Sequence, residues 1–250
     1  MRGVVVPLSR PRRLICDLLH FASGVPTVPV QRRMKLAPVV AARRALAERP
    51  PWTAIFARAL ALVAAETPEL RRAYCKFPRP HLYEYPTSVA AITVERDYRG
   101  EKAVFTVRVK DPARRGVLEI AEIIRERTTT PVEEIKDFRR SLRVSGLPRP
   151  LRRLIWWAGL NVGRQRANYF GTFGISVYSA LGAESLHPLT PLTTTLNYGV
   201  FAADGSLDVR LIYDHRVTDG ATIARALARL EEVLNTSLRD ELSTASARAA

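Results

Sequence analysis

The stretch Asp214-His215-Arg216-Val217-Thr218-Asp219-Gly220 decides how this chain is read. Upstream, Leu207, Val209, Leu211 and Tyr213 alternate with Asp208, Arg210 and Ile212, the period-2 pattern of a strand with one face on a core. His215 continues the parity of the mainly apolar face, so its imidazole is expected to point inward. Downstream, Ile223, Leu227, Leu230 and Leu234 recur at helical spacing, and Asp219-Gly220 stands where that helix begins. A strand-end histidine beside a helix-start aspartate suits proton transfer. Imidazole titrates at about pH 6.5, and partial burial favours its neutral, proton-accepting form. The same residues also suit architecture alone: a structural histidine and an aspartate that caps a helix.

The pattern Asp-His-Arg-x-x-Asp-Gly resembles the active-site signature of the dihydrolipoamide acyltransferases, the catalytic subunits of 2-oxoacid dehydrogenase complexes. That family shares its fold with chloramphenicol acetyltransferase, which carries a related H-x-x-x-D-G. Other stretches resemble the family in order. Gly171-Thr172-Phe173-Gly174-Ile175-Ser176 is similar to its G-T-F-T-I-S strand. Thr53 to Pro68, followed by Glu69-Leu70, is similar to its alanine-rich helix ending in P-E. Val25-Pro26-Thr27-Val28-Pro29-Val30 resembles its early strand, and Arg12-Arg13-Leu14-Ile15-Cys16 its arginine-bearing first helix. The resemblance runs over residues 8–238, and 239–250 are expected to form a disordered tail. Residues 131–170 depart most, with a longer segment before the G-T-F strand. Glu101-Lys102-Ala103-Val104-Phe105 also departs, standing where the family has a G-L-x-V-P-V strand.

The resemblance implies a chloramphenicol acetyltransferase-like two-layer sandwich, with a central mixed sheet covered by helices. It implies an acyltransferase that moves an acyl group between a thioester donor, either acyl-CoA or an acyl-lipoyl carrier, and a thiol or hydroxyl acceptor. His215 would be the general base. Ser176 would stabilise the oxyanion, with Ser179 a rival; Ser176 is expected on the strand face opposite Phe173, Ile175 and Val177. Asp219 would hold the loop through a buried ion pair with Arg12, or with Arg13, and would cap the helix. Arg216 and Asp214 would support the loop, and Gly220 would allow the tight turn. Coenzyme A enters as substrate, and a lipoyl group would come on a separate carrier protein, because no lipoyl or peripheral-subunit-binding module is seen. A homotrimer or higher oligomer and a cytoplasmic location are also implied. The alternative is a non-catalytic oligomeric scaffold or binding protein that keeps the fold.

Composition bounds these readings. At 250 residues the chain suits one large domain or two small ones, and a single catalytic-type domain over 1–250 is expected. No apolar run reaches the roughly 18–20 residues of a membrane span. The net charge of +15 points to a polyanionic partner such as CoA, or to arginine bias alone. The basic residues are spread along the chain and form no nucleic-acid-reading motif, so no nucleic acid is expected. The two cysteines, Cys16 and Cys75, form no disulfide framework and are expected as buried free thiols in helical contexts. His20, His81, His187 and His215 are scattered, and no metal-ligand spacing occurs. No G-x-S-x-G elbow is present.

Element signals mix strands and helices. Helices are expected at 11–21, 37–48, from an N-cap at Thr53 toward Glu66, and at 118–127. Strands are expected at 25–36, 89–94 and 103–109, the last two flanking the turn signal Asp97-Tyr98-Arg99-Gly100. The class is α+β or mixed α/β with one central sheet. In 131–170, Leu151, Leu154, Ile155 and Ala158 share a helical face. A core-facing helix with a solvated basic edge is expected there; a lid, an acyl-pocket wall or a membrane-surface helix are the functional readings.

Overall fold

The structure, a computed structural model, describes residues 1–249. Its helices are α1 (Arg10–Ala22), α2 (Ala37–Arg44), α3 (Trp52–Glu66), α4 (Val117–Thr129), α5 (Lys136–Ser145), α6 (Arg149–Asn161), α7 (Gly163–Phe170), α8 (Gly220–Val233) and α9 (Arg239–Ala249). Its strands are β1 (Thr27–Lys35), β2 (Arg72–Cys75), β3 (His81–Glu84), β4 (Val89–Tyr98), β5 (Glu101–Lys110), β6 (Phe173–Ile175), β7 (Thr194–Tyr198) and β8 (Ser206–Asp214). Six strands form one mixed sheet in the order β1-β8-β7-β6-β4-β5, and β2 and β3 form a separate hairpin. Only β4-β6 and β6-β7 are parallel; the other neighbours run antiparallel. The mixed class with one central sheet is thus as expected.

Helix α3 is the centre of the core. Ala54, Ala57, Ala59, Ala61 and Ala64 are buried, and so are the large residues Ile55, Phe56, Leu60 and Val63, as befits a helix apolar on nearly every side. Small side chains let it lie close under the sheet, flanked by α4 and α8. It begins two residues earlier than expected. Pro51, with φ fixed at −62°, holds the N-cap position, and Thr53 is already inside the helix.

The β4-β5 hairpin is longer than its apolar pattern suggested. Tyr98 pairs with Glu101, leaving the two-residue turn Arg99-Gly100. Both turn residues have positive φ, 52° and 81°, and a turn of this sense matches the twist of its strands.

Three expectations are corrected. Residues 239–249 are helical and anchored rather than a loose tail. Leu238 and Leu242 are buried, and the Glu241 carboxylate accepts hydrogen bonds from Arg58 Nε (2.5 Å) and from the Val117 amide (2.7 Å). Cys75 is buried but ends strand β2, and Cys16 on α1 is only half-buried; both are free thiols. Helix α6 has the opposite rotation from the expected one. Arg152, Trp156 and Leu160 face inward, whereas Leu151, Leu154, Ile155 and Trp157 are exposed.

The α6 rotation has a physical cause. Asp17 on α1 is fully buried, and a buried carboxylate is costly without a cationic partner. Arg152 supplies it, with Nε and Nη2 at 2.7 and 3.3 Å from the two carboxylate oxygens, and Arg153 adds a contact at 3.3 Å. Satisfying Asp17 turns Arg152 inward and sends the leucine side of the helix to water.

Candidate active site

Strand β8 runs between β1 and β7, and the last residue of its ladder is Asp214. Two backbone bonds anchor its end: the Asp214 amide donates to Thr193 O at 2.8 Å and the His215 amide to Pro26 O at 3.1 Å. The Asp214 side chain is fully buried. Its Oδ1 accepts from the Arg216 amide (3.0 Å) and Nε (2.9 Å), and its Oδ2 from Arg216 Nη2 (2.7 Å). Three charge-assisted bonds over two residues are short and directional. They clamp the turn and fix the direction in which the intervening His215 projects.

The imidazole lies beside the Tyr213 ring, with centroids 5.3 Å apart, so the expected parity holds. Its burial does not. The His215 side chain is 49% exposed, because the strand ends at Asp214 and the histidine lies in the turn beyond it.

Asp219 occupies the N-cap of α8, and its carbonyl accepts from the Ile223 amide at 3.2 Å. Its side chain makes no capping bond and is 84% exposed. The expected buried ion pair with Arg12 is absent. Arg12 is exposed, and Arg13 donates Nε to Leu8 O at 3.1 Å. Solvated Asp219 needs no buried partner; the carboxylate that does is Asp214, and its partner Arg216 lies within the motif. Asp219 Oδ1 is instead 3.6 Å from His215 Nδ1, beyond a hydrogen bond.

Gly220 has a role in volume. A Cβ there would come within 3.2 Å of the Tyr213 hydroxyl. The φ it adopts lies outside the left-handed range, so the constraint here is space rather than backbone freedom: a side chain would make the Tyr213 hydroxyl give by a few tenths of an ångström.

Ser176 follows β6. Its amide donates to Leu196 O at 3.1 Å, and its carbonyl accepts from the buried Asn197 Nδ2. The sheet register sets it beside Asn197, which pairs with Arg210. His215 lies five positions beyond Arg210, about 17 Å along the strand direction. The chain therefore does not bring Ser176 and His215 together. Ser179 opens a short 3-10 turn in the same loop.

Beside the turn lies a cleft of about 270 Å³ that the sequence did not reveal. Arg216 enters it and stacks over the Tyr74 ring at 4.3 Å. Buried Arg166 forms its floor, donating to Tyr74 O (2.7 Å), Leu160 O (3.2 Å) and Pro191 O (2.6 Å). Burial holds the Arg166 guanidinium below its ordinary pKa, partly offset by Tyr85, Cys75 and Asp214. Burial likewise pushes the Tyr85 phenol and the Cys75 thiol up from their ordinary ranges. Exposed Lys76 and His20 also line the cleft, and among the described residues no carboxylate does. Nothing in the local sequence connects Tyr74 and Lys76 to Arg216; the β2-β3 hairpin brings them together. Among the described residues no group of three or more histidine, cysteine, aspartate or glutamate side chains could hold a metal ion, and no helix is long and apolar enough to cross a membrane.

No protein-family model matches the chain, and no curated protein matches it. Solved structures do. The dihydrolipoamide acetyltransferase of Azotobacter vinelandii superposes with a TM-score of 0.70 at 19% identity, over 96% of this chain and 94% of that one. A truncated catalytic core of the 2-oxoacid dehydrogenase multienzyme complex from Thermoplasma acidophilum gives 0.69 at 18%, over 94% and 99%. A chloramphenicol acetyltransferase gives 0.51 at 14%, over 94% and 100%. The chain has the chloramphenicol acetyltransferase-like fold, in the form seen in these acetyltransferase cores.

Proposed function

We propose that the chain is an acyltransferase that passes an acyl group from a thioester, on CoA or on a lipoyl carrier protein, to a thiol or hydroxyl acceptor. One observation carries this reading. The Asp214–Arg216 clamp holds His215 at an open strand end with Asp219 on the Nδ1 side, in a chain with the acetyltransferase fold. By name, the Azotobacter neighbour is a dihydrolipoamide acetyltransferase, and a serine, a histidine and an asparagine are studied for their role in its catalytic mechanism.

In this reading His215 Nε2 is the proton acceptor. It takes the proton from the acceptor S–H or O–H as that atom attacks the thioester carbonyl carbon. The carbonyl oxygen becomes an oxyanion. Collapse of the tetrahedral species breaks the donor C–S bond, and the departing thiolate takes the proton back from the imidazolium. General-base help of this kind is worth about 10²–10⁴ in rate. The oxyanion needs a hydrogen-bond donor, and Ser176 of the same chain is too distant. A donor from a neighbouring protomer, Ser176 in its copy, would complete the site, so the reading includes a homotrimer or larger assembly. A cytoplasmic setting and CoA attracted by the chain's basic charge go with it.

The test is acyl-CoA consumption by the purified protein with dihydrolipoamide and simple alcohols as acceptors, for wild type and His215→Ala. Turnover only in wild type, at equal folded content and oligomer size, is expected. Equal turnover in both overturns the assignment of His215. No turnover in either favours the scaffold reading, for which the separation of Ser176 from His215 within one chain is the supporting observation.

A further inference from the structure

The helices of the 131–170 segment enclose a second cavity, of about 350 Å³, between α1, α5, α6 and α7. It opens beside edge strand β5, four strands from β8 and about 19 Å across the sheet from it. None of its lining residues belongs to the His215 motif. Its lining is largely apolar, formed by Leu14, Val144, Trp156 and Phe170, with exposed Ile155 at its edge. The wall is rigid. The Asp17 ion pairs bolt α6 to α1, and Trp156 packs against Phe170 with ring centroids 4.9 Å apart. Gly159 lets that ring approach, since a Cβ there would come within 2.9 Å of Phe170.

The mouth is polar and unbalanced in charge. Arg108 is neutralised by Asp137 at 2.7 Å and also donates to Tyr169 O at 2.6 Å. Arg140 lies over the Tyr169 ring at 4.3 Å and makes no ion pair among the described residues. Stacking holds its guanidinium at the rim with its donors free. No aspartate or glutamate occurs between Asp137 and Glu184, so the surrounding field favours an anion.

We propose that this cavity binds a medium-chain carboxylic acid, with the chain in the apolar depth and the carboxylate on Arg140. At about 30 Å³ per water-sized group, the cavity holds about a dozen such groups, the size of an eight- to ten-carbon acid. Pockets of this size with one placed charged group are typical of small-ligand sites. The proposal is independent of catalysis at His215.

The test uses octanoate as probe, with octan-1-ol and acetate as controls, read by calorimetry and by Trp156 fluorescence on the full-length chain. Octanoate should bind saturably, with octanol and acetate each at least about tenfold weaker, since a charge-assisted bond contributes on the order of a tenfold change or more. Arg140→Gln, an exposed position, should weaken octanoate by about tenfold and leave octanol unchanged. Ala158→Phe should abolish octanoate binding by filling the cavity, and His215→Ala should leave it intact. Absence of saturable octanoate binding overturns the proposal. So does octanol or acetate binding as tight as octanoate, or undiminished binding in folded Arg140→Gln and Ala158→Phe proteins.

Discussion

The β8-α8 turn and the junction of α1 with α6 each centre on a buried aspartate held by arginine, yet they are organised on different scales. Asp214 finds Arg216 two residues away. Asp17 finds Arg152 after 135 intervening steps of chain. The first pair closes inside a seven-residue motif, between residues two positions apart. The second exists only after two distant helices dock, and it overrides the apolar stripe that would otherwise have set the rotation of α6. A short-range ion pair shapes a turn; a long-range one decides which face of a helix is wet.

The largest expected effect that sharpens this contrast is chemical. His215→Ala should lower acyl transfer by about 10²–10⁴ without shifting the denaturation midpoint, because the side chain is half exposed and closes no contact of the clamp. A parallel loss of stability would mean that the motif is architectural. Next is Arg152→Ala, which strips the main partner from a fully buried carboxylate. About 3 kcal/mol of destabilisation is expected, the lower part of the range for a broken buried pair because Arg153 remains. Denaturant titration measures it, and a change under about 1 kcal/mol would show that α6 docks by packing alone.

Arg216→Ala should cost less, about 1.5–3 kcal/mol, as its guanidinium is partly solvated. It should also release the hairpin beneath it. The thiols report the two regions separately. Cys75, buried and with its thiol pushed up by burial, should resist iodoacetamide in wild type and gain reactivity in Arg216→Ala. Half-buried Cys16 should respond to Arg152→Ala instead. Mass spectrometry of timed labelling would read both, and equal acceleration of both sites by either variant would dissolve the distinction. The smallest effect belongs to Arg12→Ala. With no carboxylate partner, it should change stability by no more than about 0.5 kcal/mol, and a larger loss would restore the Arg12–Asp219 pair that the structure lacks.

Legibility in the sequence followed the same divide. The period-2 run ending at Tyr213 and the helical spacing from Ile223 located β8 and α8, because periodicity records which side faces a core. The motif's order placed His215, Arg216 and Asp219 correctly along the chain. The burial of His215 was misread, since alternation tells which face a residue shares but not where the covering layer stops. The α6 rotation was misread for the opposite reason: four apolar residues outvoted one arginine by count, whereas a single buried charge weighs more than several leucines. The Arg216–Tyr74–Arg166 cleft was invisible because β2, α7 and the β8 turn meet only in three dimensions. Ser176 was identified by resemblance, and the register alone revealed its distance from His215.

Gly220 leaves one mechanical consequence. It lies under the Tyr213 hydroxyl, and the Tyr213 ring lies against the imidazole. An added methyl at 220 must displace the hydroxyl by a few tenths of an ångström, and the ring would carry part of that displacement to His215. The turn behaves as a three-piece linkage, glycine to phenol to imidazole, in which a missing side chain bears on the aim of a ring two contacts away.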